Sequence, residues 1–251
     1  MDWWREGSDQ YKGHPIIGDA VPGTDPFNAP TLMKSKAITL LLALAGALSV
    51  TTAARAQDAA AGQKKAAMCI GCHGIIGYQA SFPVVYKVPK IAGQNSQYLI
   101  SSLVAYKKGE RKHPSMRAIA ASLTDTDMAD LAAYYETLGA STMQPVADTP
   151  ATAPSAEVAA LLTKGACTSC HGANFSKPIA PGYPKLAGQH GDFLYQALKS
   201  YATTGNPNFG RGNAIMGGQV KPFKLEELKL LAGYISSLPG EVNTVPQSKF
   251  R

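Results

Sequence analysis

Residues 68–74 read MCIGCHG and residues 166–172 read ACTSCHG, so the chain twice sets two thiols three residues apart with an imidazole immediately after the second. On a helix, positions i, i+3 and i+4 lie on one side, and each motif therefore presents two sulfurs and one ring nitrogen to a single object. All four cysteines of the 251 residues, Cys69, Cys72, Cys167 and Cys170, belong to these motifs. None is left over for an independent disulfide framework.

Subtraction of positions exposes a duplication. Cys69 and Cys167 are 98 residues apart, while residues 89–94, PKIAGQ, answer residues 184–189, PKLAGQ, at an offset of 95. Pro83 and Pro178, Leu99 and Leu194, and Tyr106 and Tyr201 share that offset. Beyond them an offset of 100 relates Arg111 to Arg211, Met116 to Met216, Leu131 to Leu231, Tyr134 to Tyr234 and Leu138 to Leu238. Small changes of offset between matched blocks are what loop insertions in a duplicated domain produce. The reading is two modules, 57–141 and 156–251, joined by a Pro-, Thr- and Ala-rich linker over 142–155.

Within each module the pattern is helical. Ala- and Lys-containing runs lead into the cysteine motifs, and residues 96–107 and 192–201 make a second matched pair. Met128, Leu131, Tyr135 and Leu138 fall on one helical face, as do Leu228, Leu231, Ile235 and Leu238. Thr124 with Asp127 predicts a capping box opening the first of these helices. Strand signals are nearly absent, and residues 82–88, bounded by Pro83 and Pro89, read as loop. The expected fold class is all-α, with a core that needs something besides side chains to fill it.

Several chemistries compete for the motif. A thioredoxin-like dithiol needs a βαβ context and gains nothing from the histidine. Structural zinc needs a second pair of ligands in each module. A disulfide across three residues leaves His73 and His171 unexplained. Covalent haem c uses every element: both cysteines form thioethers and the histidine takes an axial position on iron.

The second axial ligand decides what such a centre does, because an open position binds or activates small molecules and a closed His/Met site moves electrons. Met68 precedes its cysteine, Met128 belongs to the core stripe and Met143 falls in the linker. Met116 and Met216 remain, 43 and 45 residues after their histidines, in segments HPSMRA and GNAIMGG expected to be loops ahead of the final helices. His113 is the local rival to Met116, but its counterpart is Asn213, so the symmetry speaks for methionine. His190, which matches Asn95, reads as a solvated residue near a helix start, and His14 lies in the N-terminal segment.

C-x-x-C-H, then P-K-[IL]-A-G-Q, a tyrosine-bearing helix, a methionine segment and a closing L-A-x-Y helix resemble class I cytochrome c. The tandem arrangement resembles the dihaem cytochrome c4 family over residues 57–240. That resemblance implies two tandem all-α cytochrome c domains related by a pseudo-twofold, with cofactor edges facing across their boundary. It implies two covalently attached haem c groups, one held by Cys69, Cys72, His73 and Met116 and the other by Cys167, Cys170, His171 and Met216. Pro89 and Pro184 match the family's proline whose carbonyl accepts from the ligating histidine, which orients the ring. Ile91 and Leu186 would pack on the porphyrin.

Implied too is a periplasmic electron carrier, not an enzyme, working between a quinol-oxidising complex and a terminal oxidase or reductase. The alternative is the cytochrome subunit of a dehydrogenase such as flavocytochrome sulfide dehydrogenase. A dihaem peroxidase would need an exchangeable site, against which both methionines argue.

Export is expected from the sequence as well. Residues 33–56 combine Lys34 and Lys36, an apolar run over 37–50 and a small-x-small site at Ala54-Arg55-Ala56, which predicts a signal peptide cleaved after Ala56. The run falls short of the roughly 20 residues a bilayer requires. Residues 1–32 precede it and are expected to reflect a start codon placed too early, translation beginning at Met33. From residue 57 onward there are 19 Lys and Arg against 12 Asp and Glu, a net charge of +7. That excess permits attraction to an acidic protein or peripheral association with an anionic membrane surface. Its dispersal, with export, excludes nucleic acid. Lys107, Lys108, Arg111, Lys112 and Arg117 near the first methionine form a collar that either steers an acidic partner or is simply a solvated face.

Overall fold

A computed structural model describes residues 57–140 and 145–247. The signal-like segment, its cleavage point, the residues before it and Met143 lie outside the described residues.

Module one opens on Asp58, whose Oδ1 accepts from the Ala60 and Ala61 amides at 2.8 and 3.1 Å. This satisfies two of the orphan donors of helix α1 (Ala59–Lys65). Ala66 interrupts the run, and α2 (Ala67–His73) carries the first cysteine motif. Strands β1 (Gln79–Ala80) and β2 (Tyr86–Lys87) then pair antiparallel, so part of the stretch expected to be loop forms a short hairpin. The prolines lie outside the paired residues, so the ladder loses no donor. Helix α3 (Ser96–Lys108) stops at Gly109, whose φ of 77° only glycine adopts without strain. Strand β3 (Arg111–Lys112), α4 (Pro114–Ala121) and α5 (Asp125–Thr137) complete the module. The Thr124–Asp127 capping box opens α5 as its sequence predicts.

Module two repeats this order without the hairpin: α6 (Ala156–Lys164), α7 (Cys167–His171), α8 (Gly191–Ala202), β4 (Gly210–Arg211), α9 (Ala214–Val220) and α10 (Leu225–Ser237). Residues 147–152 lie along module two. Tyr234 Oη donates to the Thr152 carbonyl at 3.0 Å, Asn174 Nδ2 donates to the Ala147 carbonyl, and Lys177 pairs with Asp148 at 2.5 Å.

Each module has its own apolar core. Ile70, Leu123, Met128, Leu131, Tyr134 and Tyr135 form the first, and Leu161, Phe175, Leu194, Leu228, Leu231, Ile235 and Leu238 belong to the second. The two stripes read from periodicity are thus the buried faces of α5 and α10. Helix α1 crosses α5 at Gly62, where an added Cβ would lie 2.0 Å from the Asp130 carbonyl oxygen, so only glycine permits this approach.

Beside that crossing Lys65 Nζ reaches Asp127 and Asp130, each at 2.7 Å. Its ammonium holds both carboxyls below the usual carboxylate range, with Thr124 assisting at Asp127 and the Asp58 amide at Asp130. A carboxylate with a depressed folded pKa contributes stability that is present above its unfolded value and lost as pH falls toward the folded value. Denaturant midpoints measured between pH 7 and 3 are expected to be flat above pH 5 and to fall below about pH 4. Lys65→Met should flatten that acid limb.

The modules meet through a reciprocal set of bonds. Gln94 Nε2 donates to the Lys185 carbonyl while Gln94 Oε1 accepts from the Lys185 amide, both at 2.9 Å. In the other direction Gln189 Nε2 donates to the Lys90 carbonyl at 2.8 Å and Gln189 Oε1 accepts from the Lys90 amide at 2.9 Å. Matched residues exchanging roles is the signature of a pseudo-twofold boundary. Strands β3 and β4 extend it, Arg111 lying opposite Arg211 and Lys112 opposite Gly210. The C-terminal segment then returns to module one: Asn243 exchanges two backbone bonds with Ala92, and Tyr134 Oη donates to Gln247 at 3.2 Å.

Candidate haem sites

Two cavities run through this framework. The first, about 320 Å³, is lined by Cys69, Cys72, His73, Pro89 and Met116 together with Ile91, Leu99, Leu103 and Leu131. The second, about 490 Å³, is lined by Cys167, Cys170, His171, Pro184 and Met216 with Leu186, Leu194, Leu228 and Leu231. Every site residue expected from the sequence lies on the wall of its own module's cavity. A packed protein interior tolerates few voids larger than a water molecule, so two spaces of this size, walled by aliphatic side chains, are shaped for a large apolar group.

The donors are arranged for that group. None of the four cysteines is paired in a disulfide. His73 Nδ1 lies 2.8 Å from the Pro89 carbonyl oxygen and His171 Nδ1 lies 3.3 Å from that of Pro184. A carbonyl can only accept, so Nδ1 carries the proton and Nε2 keeps its lone pair for a metal. Burial lowers the pKa of both imidazoles, with each proline bond opposing, and this favours the neutral ring that coordination requires. Burial likewise pushes the Cys69 and Cys167 thiols up.

Both methionines sit in the first turn of a short helix rather than in a loop, Met116 in α4 and Met216 in α9. Pro114 pre-sets the first of these helices, and a side-chain cap nucleates each. His113 Nδ1 accepts from the Met116 amide at 3.4 Å, and Asn213 Oδ1 accepts from the Met216 amide at 2.9 Å. The structure thereby gives His113 and Asn213 one shared role. It also revises His190, which is half-buried at the start of α8 instead of solvated.

The basic collar divides. Lys108 and Arg117 are exposed, but Lys107 Nζ donates to the Leu123 carbonyl and Lys112 Nζ to the Asn206 carbonyl. Arg111 turns inward over the Tyr106 and Tyr98 rings. Spacing did not identify Gln94 and Gln189, which lock the modules together; their only sequence signal is recurrence at the end of the P-K-x-A-G-Q block. Among the described residues no helix is long and apolar enough to cross a membrane.

Two helical modules, each gathering two cysteines, a carbonyl-bound histidine and a methionine around an apolar cavity, define a dihaem c-type cytochrome. Residues 59–139 and 155–239 each match the model of the family described as cytochrome c. Cytochrome c4 of Azotobacter vinelandii is 32% identical over 228 residues, covering 82% of this chain and all of that protein. The solved cytochrome c4 structure of Acidithiobacillus ferrooxidans superposes with a TM-score of 0.51 at 28% identity, over 69% of this chain and 99% of that one. A protein of Stutzerimonas stutzeri named thiosulfate dehydrogenase electron acceptor is 28% identical over 78% of this chain and 94% of its own. The chain belongs to the cytochrome c4 family, whose members carry two covalently attached haem c groups and transfer electrons.

Proposed function

We propose that this chain is a periplasmic electron carrier, not an enzyme, in which Cys69, Cys72, His73 and Met116 hold one haem c and Cys167, Cys170, His171 and Met216 the other. The observation that carries the reading is the repeated grouping of two cysteines outside any disulfide, a histidine with Nδ1 engaged and a methionine around one apolar cavity. When bound, haem c supplies one-electron Fe(II)/Fe(III) cycling. The chain does the rest. Its cysteines anchor the group, while Pro89 and Pro184 fix the orientation of the imidazoles. Met116 and Met216 would hold the group from the facing wall and would keep small molecules from it. The aliphatic walls exclude water, which disfavours the extra charge of the ferric state and raises the potential.

The donor is a quinol-oxidising complex and the acceptor a terminal oxidase or reductase. A second reading, the electron-accepting subunit of a dehydrogenase, is favoured by the likeness to the protein named thiosulfate dehydrogenase electron acceptor. Haem quantification with an absorption spectrum of the oxidised protein tests the site. Two haems per chain and a weak far-red sulfur-to-iron band are expected, and a high-spin spectrum would overturn the assignment. Co-purification of a flavoprotein or another dehydrogenase chain would favour the second reading, and mass spectrometry of the exported protein should find Gln57 at its N-terminus.

A further inference from the structure

The fold sets two partly buried guanidiniums at the module boundary, and among the described residues neither has a carboxylate partner. Arg111 and Arg211 stand directly opposite each other in the β3–β4 pair. Arg111 lies 4.8 Å from the Tyr106 ring centroid, its Nη1 is 3.5 Å from Tyr98 Oη, and its Nε is buried with no hydrogen-bond partner. Arg211 is placed the same way, 5.3 Å from the Tyr201 centroid and 5.4 Å from that of Phe193, with Nη1 3.5 Å from Tyr201 Oη. Neither takes part in an ion pair among the described residues. Like charges directly opposite in a ladder repel, and a buried guanidinium without a counter-ion is strongly unfavourable. Tyrosine hydroxyls and ring faces offset part of that cost, and anions beside the pair would offset the rest.

The cavities offer such anions a place beside the pair. Arg111 lines both of them, as do Tyr98 and Ser102, whose Oγ is also buried and unpartnered. Arg211 lines the second cavity and not the first. Haem c carries two carboxylate side chains, and a planar guanidinium fork is the side chain best matched to a carboxylate. We propose that Arg111 is a single charge shared by the two centres, receiving a haem carboxylate from each cavity, whereas Arg211 serves the second centre alone. This rests on the haem assignment above.

Removing a cation beside an iron centre favours its ferric state and lowers its midpoint potential. Redox titration with each centre resolved by paramagnetic NMR reads the effect, with thermal unfolding followed in parallel. Arg111→Gln is expected to lower both midpoint potentials, and Arg211→Gln to lower only the second. Lys108→Gln, an exposed charge outside both cavities, should change neither. Movement of one potential or of none in Arg111→Gln would overturn the proposal. Should Arg111→Gln fail to fold, Arg111→Lys keeps the charge without the fork and is expected to lower both potentials by less; a shift at one centre or at neither would again overturn it. Failure of the haem assignment itself is distinguishable, since the unmutated protein would then lack two haems or the sulfur-to-iron band.

Discussion

Met116→Ala is expected to lower the midpoint potential of the first centre by on the order of 0.2 V, a fraction of the about 0.8 V that axial ligands span, and to abolish the far-red band of that centre alone. The thioether favours Fe(II), so its loss favours the ferric state. The local structure supports ligation as well, since Met116 sits one turn into α4, has its amide held by His113, and lines the first cavity. Met216→Ala is expected to do the same at the second centre, where Asn213 holds the amide. Spectroelectrochemical titration of each variant checks this, and native spectra with native potentials would remove methionine from the ligand set. Exchanging His113 for asparagine, the residue its counterpart position already holds, should leave the band intact, because the cap survives.

Gly62→Val is expected to cost module one more than about 3 kcal/mol, beyond the 1–3 kcal/mol typical of an overpacked core. A Cβ at Gly62 would stand 2.0 Å from the Asp130 carbonyl oxygen, 2.5 Å from its carbon and 2.8 Å from Tyr134 Cβ. Two of these three atoms are backbone inside α5, so no rotamer change relieves the clash and the helices must part. Separation would also stretch the Lys65 bridges to Asp127 and Asp130. Gly233 in α10 is exposed, and a Cβ added there would meet nothing within 4 Å, so Gly233→Ala should instead stabilise by roughly 0.5–1 kcal/mol. Urea denaturation compares the two.

The duplicated modules, their helices and the capping box at Thr124 are legible in the sequence because each rests on local spacing. So is the grouping of Cys69, Cys72 and His73, which one helix turn brings together. The helical placement of Met116 is not legible, because a helix of eight residues carries too few periodic positions to register; its cap at His113 reads as a rival ligand instead. The inward turn of Arg111 is hidden for a different reason. Next to Lys107, Lys108 and Lys112 it reads as surface, and only the pairing of β3 with β4, two segments 100 residues apart, brings it opposite Arg211. Gln94 and Gln189 are visible as a repeat, yet a repeat does not reveal that its two copies bond to each other.

The return of the C-terminal segment to Ala92 and Tyr134 means that the modules are tethered twice, once by the linker and once by the tail. A second attachment raises the effective concentration of one partner near the other without adding any new surface between them. A break in either strand of this harness would leave the halves in register, so the distance an electron must cross between them is insulated from a single proteolytic cut.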